Sequence, residues 1–202
     1  FICNALEIEF GLPVLSEESL VSYNKRKSWT EYWLVDPLDG TKDFLDKNGE
    51  FTVNIALIHN RRPRLGVVYA PALNHCWWAS HRNGAYKDGI KIKNKSKRRY
   101  LLGLDSRHHQ SKETHKFFKL NNIKNVSQIG SSLKMCKVAE GAADIYPRLN
   151  GTKEWDTAAS QIILYEAGCS LVSYPGKEPL YYNKNELKNP YFVAFRNGIN
   201  WK

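Results

Sequence analysis

The segment that most constrains this chain is Asp36–Thr41, where two carboxylates lie three residues apart around a proline and are followed by a glycine and a hydroxyl. The preceding residues 32–35 predict the end of a buried strand. Pro37 has a fixed φ and favours an extended backbone at Asp36, and Gly40 permits angles that other residues resist. We predict a rigid turn with both carboxylates and the Leu38 carbonyl facing one point, a donor set that suits Mg²⁺.

The same hexapeptide is also typical of a turn that binds no ligand. The positions of the other acidic residues therefore help to decide between a plain turn and a metal-binding turn. Glu17 and Glu18 follow a short apolar run, and Asp156 lies far downstream beside Trp155. Adjacent acids repel each other unless a cation neutralises them. Three separate acidic positions of this kind indicate one site for more than one metal ion.

Three motifs, in this order along the chain, resemble the inositol monophosphatase superfamily of Mg²⁺-dependent phosphatases: residues 16–19, 36–41 and 155–159. A narrower resemblance, to the bacterial 3′(2′),5′-bisphosphate nucleotidases of the CysQ type, is carried by residues 40–44, 48–58, 66–72 and 130–148. Together these stretches span nearly the whole chain. The resemblance implies an α/β fold, a layered αβαβα sandwich.

The resemblance also implies which residues act. Two or three Mg²⁺ ions would be held by Glu17, Asp36, the Leu38 carbonyl, Asp39 and Asp156, with Glu18 beside them. Asp39 and Thr41 would be catalytic, the Thr41 hydroxyl holding a water near the metal. The residues expected to bind substrate are Glu17, Gly40, Thr41, His109, Gly130, Ser132, Lys134, Arg148 and Asp156.

Each of these assignments has a structural alternative. Asp156 lies where a helix N-cap belongs, a position that favours aspartate, and capping and metal binding can coexist. The segment 130–134 is suited to a second phosphate, or it is an ordinary Ser-capped helix with Lys134 in solvent. His109 matches the family's nucleotide-contact histidine better than His108 does, and either could be a surface residue.

Several other residues have predicted places but no assigned contact. Arg148 is a further phosphate candidate. Lys42 and Asp43 are expected near the mouth of the site. The tryptophans are expected to pack in the core or at its rim rather than to stack on a base; they are Trp29, Trp33, Trp77, Trp78 and Trp155.

Charge and cysteine usage limit the partners and the compartment. The formal net charge of +10 and the pI near 9.4 suit an anionic partner. Many positive charges lie in 87–99, a pattern compatible with nucleic acid or anionic lipid. However, Asp88-Gly89 is a good hairpin turn, and Ile90 and Ile92 alternate with lysines, which favours an exposed strand over a nucleic-acid surface. The resemblance implies a small phosphorylated nucleotide as the partner, with no nucleic acid.

The sequence shows no apolar run of membrane length and no signal-peptide pattern. The four cysteines are scattered, with no metal-ligand spacing, so we expect buried free thiols in a reducing compartment. We therefore expect a cytoplasmic protein, attached at most peripherally to the inner face of the membrane.

The order of predicted elements suggests two subregions, 1–98 and 99–202. The first reads as an antiparallel sheet, with strands near 32–35, 51–57, 65–70 after a turn at 61–64, 76–79 and a hairpin at 87–93. The second alternates strands and helices, with helices at 112–120, 132–140 and 156–167 and strands at 126–129, 143–146, 169–173 and 191–195.

The resemblance further implies that two helices begin the fold and that residues 1–10 are the tail of the second one. In the family, an aspartate of that preceding segment pairs with the threonine matching Thr41. Two expectations follow: a phosphatase that converts adenosine 3′,5′-bisphosphate to AMP and phosphate in sulfur assimilation, or a silent chain that binds only metal or nucleotide. An inositol or fructose-bisphosphate phosphatase is the alternative within the enzyme class.

Overall fold

A computed structural model describes residues 1–202, and its first sheet has seven strands in the order β1-β2-β3-β4-β5-β6-β7. β1 pairs with β2 in parallel, and every later pair is antiparallel, so the predicted antiparallel sheet is confirmed except at its first strand. The strands are β1 Val14–Ser16, β2 Glu31–Asp39, β3 Thr52–His59, β4 Arg62–Ala70, β5 His75–Ser80, β6 Gly84–Lys87 and β7 Ile90–Ile92.

Two hairpin turns in this sheet show where the turn predictions succeed and fail. Asp88 and Gly89 both have positive φ, 49° and 79°, and join β6 to β7 as predicted. The turn predicted at residues 61–64 is wrong, because Asn60 and Arg61 take the positive φ angles and β4 already begins at Arg62. Pro63 is therefore part of a strand, next to the bulge in the β3–β4 register.

The second sheet has five strands in the order β11-β12-β10-β8-β9 and mixes parallel and antiparallel pairs. The four strands predicted in this half are confirmed within two residues, and they are β9 Asn125–Ile129, β10 Ile145–Arg148, β11 Cys169–Ser173 and β12 Phe192–Arg196. A fifth strand, β8 Leu102–Ser106, was not predicted.

Six helices complete the layered order α-β-α-β-α. α5 and α6 lie between the two sheets in a core cluster of 31 buried residues drawn from both. α4 packs on the far face of the second sheet through Phe117 and Phe118, and α1 packs on the far face of the first through Ile2 and Leu6. The helices are α1 Ile2–Phe10, α2 Tyr23–Arg26, α3 Thr41–Leu45, α4 Lys112–Leu120, α5 Leu133–Ala139 and α6 Glu154–Glu166, with a 3₁₀ turn at Pro71–Leu73.

The predicted αβαβα sandwich is therefore confirmed. The chain passes from the first sheet to the second between Ile92 and Leu102. Because the main core is shared by both sheets, the division into units 1–98 and 99–202 stays a prediction.

A close approach between sheet and helix fixes α6 against the first sheet. A Cβ added at Gly66, in β4, would lie only 2.4 Å from the Ala159 carbonyl oxygen and 2.6 Å from the Ile162 side chain. The absence of a side chain at Gly66 therefore lets the helix that carries Asp156 lie directly on the sheet that carries Asp36 and Asp39.

The remaining general predictions can also be compared with the structure. All four cysteines are unpaired; Cys136 and Cys169 are buried, whereas Cys3 and Cys76 are half-buried. Trp33, Trp77 and Trp155 are buried as expected. None of the helices has both the length and the apolar character needed to pass through a bilayer.

Candidate active site

Three aspartates from distant parts of the sequence meet at one point. Asp36 and Asp39 lie at the end of β2, and Asp156 lies in the first turn of α6. One carboxylate oxygen from each residue lies within 4.8 Å of the others. The prediction that distant acids converge is therefore confirmed for these three residues.

Asp39 is held by donors from both sheets. Its Oδ2 accepts hydrogen bonds from the Ser132 amide at 2.6 Å, the Thr52 hydroxyl at 3.3 Å and the Asn54 amide group at 3.3 Å. The other oxygen, Oδ1, has no protein donor. One half of the carboxylate therefore fixes the side chain, and the other half remains available to a cation.

Asp36 and Asp156 follow the same pattern. Oδ1 of Asp36 accepts the Leu38 amide at 3.0 Å, as expected for a tight Asp-Pro turn. Oδ2 of Asp156 accepts the Lys153 amide at 2.8 Å. The prediction of Asp156 as N-cap is wrong: Lys153 is the N-cap residue and Asp156 is the third residue of α6, reaching back as the second half of a capping box.

The carboxyl groups repel each other in this arrangement. Burial and the neighbouring carboxylates raise the pKa of Asp36 and the pKa of Asp156. Glu17, which lines the same cavity from the end of β1, has a raised pKa for the same reasons. A group of hard oxygen donors that forms no ion pair with a protein cation fits a divalent metal ion.

The turn after Asp39 lies as the sequence predicts. Gly40 has a φ of 89° and is the N-cap residue of α3, which begins at Thr41. The Thr41 hydroxyl is 3.5 Å from the Leu38 carbonyl oxygen. This geometry places a hydroxyl, two backbone amides and the Leu38 carbonyl beside the acidic cluster.

The acidic cluster opens into a cavity of about 660 Å³ that carboxylates and basic side chains line together. We call the part formed by the carboxylates already described the acidic end. We call the part formed by basic side chains the basic end; it includes His108, His109, Lys134, Arg148, Lys153 and Lys188. A ligand with two anionic groups suits a cavity with this lining.

Lys134 is buried rather than in solvent, so the surface-lysine alternative is wrong. Its side chain is 3% exposed, and its Nζ donates to the carbonyl oxygens of Ile129 at 2.9 Å and Ser131 at 2.7 Å. Burial lowers the pKa of Lys134 to about 8, partly against the attraction of Asp39. The ammonium group retains one N–H that neither carbonyl uses.

The two predicted contacts that precede Lys134 are engaged within the fold. The Ser132 hydroxyl lies 2.8 Å from the Thr52 hydroxyl and donates to the Asn54 side chain at 2.8 Å. Gly130 donates its amide to Glu50 at 2.7 Å. Ser131 also lines the cavity, and its φ is positive at 43°. We did not predict this residue as part of the site, and only the Ser-Ser pair at 131–132 could have indicated its role.

His109 and Arg148 line the basic end as predicted. The pKa of His109 is lowered by desolvation and by nearby cations, of which Arg148 has the largest effect. Arg148 donates to the Gly151 carbonyl at 3.3 Å, whereas its Nε is buried without a partner. Arg148 therefore supplies a cation that forms no ion pair, and His109, whose lowered pKa favours the neutral imidazole, supplies a hydrogen-bonding group.

Asp43 lines the cavity but is buried in its wall. It is 3% exposed and accepts from Asn48 at 2.7 Å, with His108 Nε2 at 3.1 Å from the same oxygen. Lys42 is exposed and lines the cavity as expected. Lys153 and Lys188 were also missed, because they are far apart in sequence and are joined only by an isolated bridge.

Comparison with known proteins agrees with this geometry. A sequence model of the inositol monophosphatase family matches residues 1–193. The chain belongs to the inositol monophosphatase family. Among curated relatives, the 3′(2′),5′-bisphosphate nucleotidase CysQ of Salmonella typhimurium is 43% identical over 184 residues, which cover 90% of this chain and 74% of the relative. The protein of the same name from Escherichia coli K12 is 42% identical over the same shares.

Solved structures support membership of the family. CysQ from Bacteroides thetaiotaomicron, described as a bacterial member of the family, superposes with a TM-score of 0.89 at 40% identity over 95% of this chain and 79% of that chain. An inositol monophosphatase-type protein called SaIMPase-II, solved with 2′-AMP, superposes with a TM-score of 0.84 at 22% identity over 98% of this chain and 76% of that chain. The second likeness shows the fold alone.

Proposed function

We propose that this protein is a Mg²⁺-dependent phosphatase that removes the 3′-phosphate of adenosine 3′,5′-bisphosphate, giving AMP and phosphate. The similarity to the nucleotidases of Salmonella and Escherichia supports this choice of substrate. In this proposal the reaction disposes of a by-product of sulfur assimilation.

One observation carries the proposal: a single cavity joins a cluster of carboxylates to a wall of cations. A phosphate ester that binds at the acidic end needs metal ions between itself and the carboxylates. A second phosphate on the same ligand finds direct partners at the basic end. A nucleoside bisphosphate carries two phosphates that can meet these two requirements.

Asp36, Asp39 and Asp156 would hold the metal ions, with Glu17 and the Leu38 carbonyl completing the donor set; we propose Mg²⁺, in two or three sites. When bound, such ions neutralise phosphoryl oxygens and lower the pKa of water. The three aspartates fit because each fixes one oxygen to the protein and leaves the other free.

The chain's own groups then position the phosphate and the attacking water. Thr41, directed by the Leu38 carbonyl, orients a water beside Asp39. The amides of Gly40 and Thr41 donate to the phosphate. Because uncatalysed hydrolysis of a phosphate monoester is extremely slow, charge stabilisation and positioning supply most of the acceleration.

At the opposite end, Lys134, Arg148 and His109 take the second phosphate. Lys134 has an N–H beyond those that its two carbonyl partners accept, and Arg148 has an unpartnered Nε. We assign the discrimination between a bisphosphate and a simple monoester to these three side chains.

Phosphate release tests the proposal. The protein is incubated with adenosine 3′,5′-bisphosphate, inositol 1-phosphate and fructose 1,6-bisphosphate, each with Mg²⁺ and with EDTA. We expect a dominant, EDTA-sensitive rate on the nucleotide. A dominant rate on either of the other substrates contradicts the assignment, and calorimetric binding of the nucleotide without any product supports the silent alternative. Cell fractionation tests the predicted cytoplasmic location and peripheral attachment.

A further inference from the structure

Four residues with ionisable side chains, Asp43, Glu50, Arg107 and His108, form a set here called the junction cluster; Asp43 and His108 line the cavity, and Glu50 and Arg107 lie behind them. Asp43 and Glu50 come from α3 and the loop that follows it, beside the first sheet. Arg107 and His108 follow β8 in the second sheet. The junction cluster therefore connects the element that carries the metal-binding turn with the loops that carry the cations.

Glu50 makes the most connections in this cluster. It forms a bidentate pair with Arg107, with Nη2 2.8 Å from Oε1 and Nε 3.0 Å from Oε2. The same Oε2 accepts the Gly130 amide at 2.7 Å. Neither Glu50 nor Arg107 lines the cavity, so a ligand in the cavity does not touch them.

Asp43 in α3 and Gly130 in the loop before α5 lie in close contact. A Cβ added at Gly130 would lie 2.4 Å from Oδ2 of Asp43. Asn48 then links the two acids, since its side chain donates to Asp43 at 2.7 Å and accepts the Glu50 amide at 2.9 Å. The loop at 129–132 is therefore pressed against α3 and held there by Glu50.

That loop in turn controls both ends of the cavity. At its carboxyl side, the Ser132 amide donates to Asp39 at 2.6 Å. The carbonyls of Ile129 and Ser131 hold the Lys134 ammonium group. A displacement of this loop would move a carboxylate of the acidic end and a cation of the basic end relative to each other.

We propose that the Glu50–Arg107 pair is a positioning device that fixes the separation between the acidic and basic ends, and so selects ligands with two phosphates at that spacing. The inference rests on the proposed function. A bidentate arginine–carboxylate pair is suited to this role because its planar geometry sets both distance and angle.

Because the Glu50–Arg107 pair is partly exposed, its effect on the geometry of the cavity can be tested without a large loss of folding stability. The side chains of Arg107 and Glu50 are 38% and 22% exposed, and ion pairs of this exposure contribute little to folding. Loss of the pair should therefore leave a folded enzyme in which the two ends are less well aligned. Misplacement of this kind has a large kinetic effect on ligands that must reach both ends.

The test is Glu50→Gln, which keeps the size of the side chain and an acceptor for the Gly130 amide but removes the charge that pairs with Arg107. We expect KM for adenosine 3′,5′-bisphosphate to rise about tenfold. We expect kcat/KM for p-nitrophenyl phosphate, which has one phosphate and needs only the acidic end, to stay within about twofold. Arg107→Gln should have the same effect, and the double variant should lose no more than either single variant.

Glu140→Gln is the matched control. Glu140 is a comparably half-buried acid that pairs with Lys87 at 2.9 Å and Lys137 at 2.8 Å, away from the cavity. Its loss should leave the ratio of the two substrates unchanged. The substrate preference of the wild-type protein decides the proposed function before any variant is made.

If the wild-type protein prefers the bisphosphate and Glu50→Gln leaves that preference intact, the positioning role is overturned while the function stands. An equal loss on both substrates also overturns it, because a general structural defect would then explain the result. A wild-type protein without the preference overturns both.

Discussion

Asp39 engages one carboxylate oxygen with donors from both sheets and leaves the other oxygen without a protein donor. Asp36 and Asp156 use one oxygen each in the same way. At the scale of single residues, the site is therefore built from side chains that are held rigidly by one atom and offered to a ligand by another. Such division explains how three like charges can remain oriented toward one point.

Asp39→Asn should abolish turnover and leave the fold intact. The variant loses a charged metal ligand, and we expect kcat to fall by at least about a hundredfold. Removing one of several repelling charges should keep the melting temperature of the metal-free protein equal to or above that of the wild type. Asp88→Asn, in the β6–β7 turn, is the control for both measurements. Near-normal activity of Asp39→Asn would contradict the metal role.

The metal-free protein should lose stability as pH rises from about 4, the ordinary aspartate value, toward neutrality. The folded state has raised pKa values at Asp36 and Asp156, so it retains protons that the unfolded chain has released. The free energy of unfolding therefore falls with rising pH in this window. Denaturant titrations at several pH values with EDTA measure this slope.

Asp36→Asn should flatten that slope and stabilise the metal-free protein at pH 7 by about 1 kcal/mol or more. The amide oxygen of Asn can still accept the Leu38 amide. If the free energy of unfolding depended on pH as it does in the wild type, repulsion within the acidic cluster would not be the cause of the pH dependence.

At the scale of elements, α6 presents Asp156 to the end of β2 because Gly66 lets the helix touch the sheet. The prediction of this helix from its apolar stripe was correct in kind and within two residues in extent. Its depth against the sheet was not predictable, since a glycine within a strand pattern does not indicate what approaches it. We predicted Asp156 as the N-cap residue because an acidic side chain suits both the N-cap position and the third helical residue, from which it can accept the N-cap amide.

Gly66→Ala should destabilise the protein by about 2 kcal/mol or more, because the added methyl group overlaps the Ala159 carbonyl oxygen. We also expect weaker metal binding, since α6 must move away from β2. Gly176→Ala, where a Cβ would meet only the Ser173 hydroxyl at 3.3 Å, is the control. Urea unfolding and metal titration measure the two effects, and a stable variant with normal metal affinity would contradict this account.

At the scale of the whole molecule, the site lies where two sheets and one shared helical layer meet. Donors to Asp39 come from β3 of the first sheet and from Ser132, which precedes α5 and follows the last residues of β9 in the second sheet. A metal ion bound to Asp39 would therefore stabilise contacts between both halves of the molecule, not a single loop.

Metal binding should raise the melting temperature of the whole protein in a single transition. At a Mg²⁺ concentration one hundred times the dissociation constant, the stabilisation is about 2.7 kcal/mol, which corresponds to about 5–10 °C for a chain of this size. Differential scanning fluorimetry with Mg²⁺ and with EDTA measures the shift. The shift should vanish in Asp39→Asn, and a shift of equal size in that variant would place the metal elsewhere.

Most helices and strands, though not β8, the turn at Asp36–Thr41 and the acids that meet were predictable from the amino acids, because they depend on local backbone preferences and on motifs that resemble a known family. The burial of Lys134, the use of the Ser132 hydroxyl within the fold and the position of Ser131 at the cavity became known only from the folded chain. The same holds for the connection that Glu50 and Arg107 make between the two halves of the molecule. The physical reason is that burial and hydrogen-bond partners depend on which distant segments pack together, and no local pattern of residues encodes that packing.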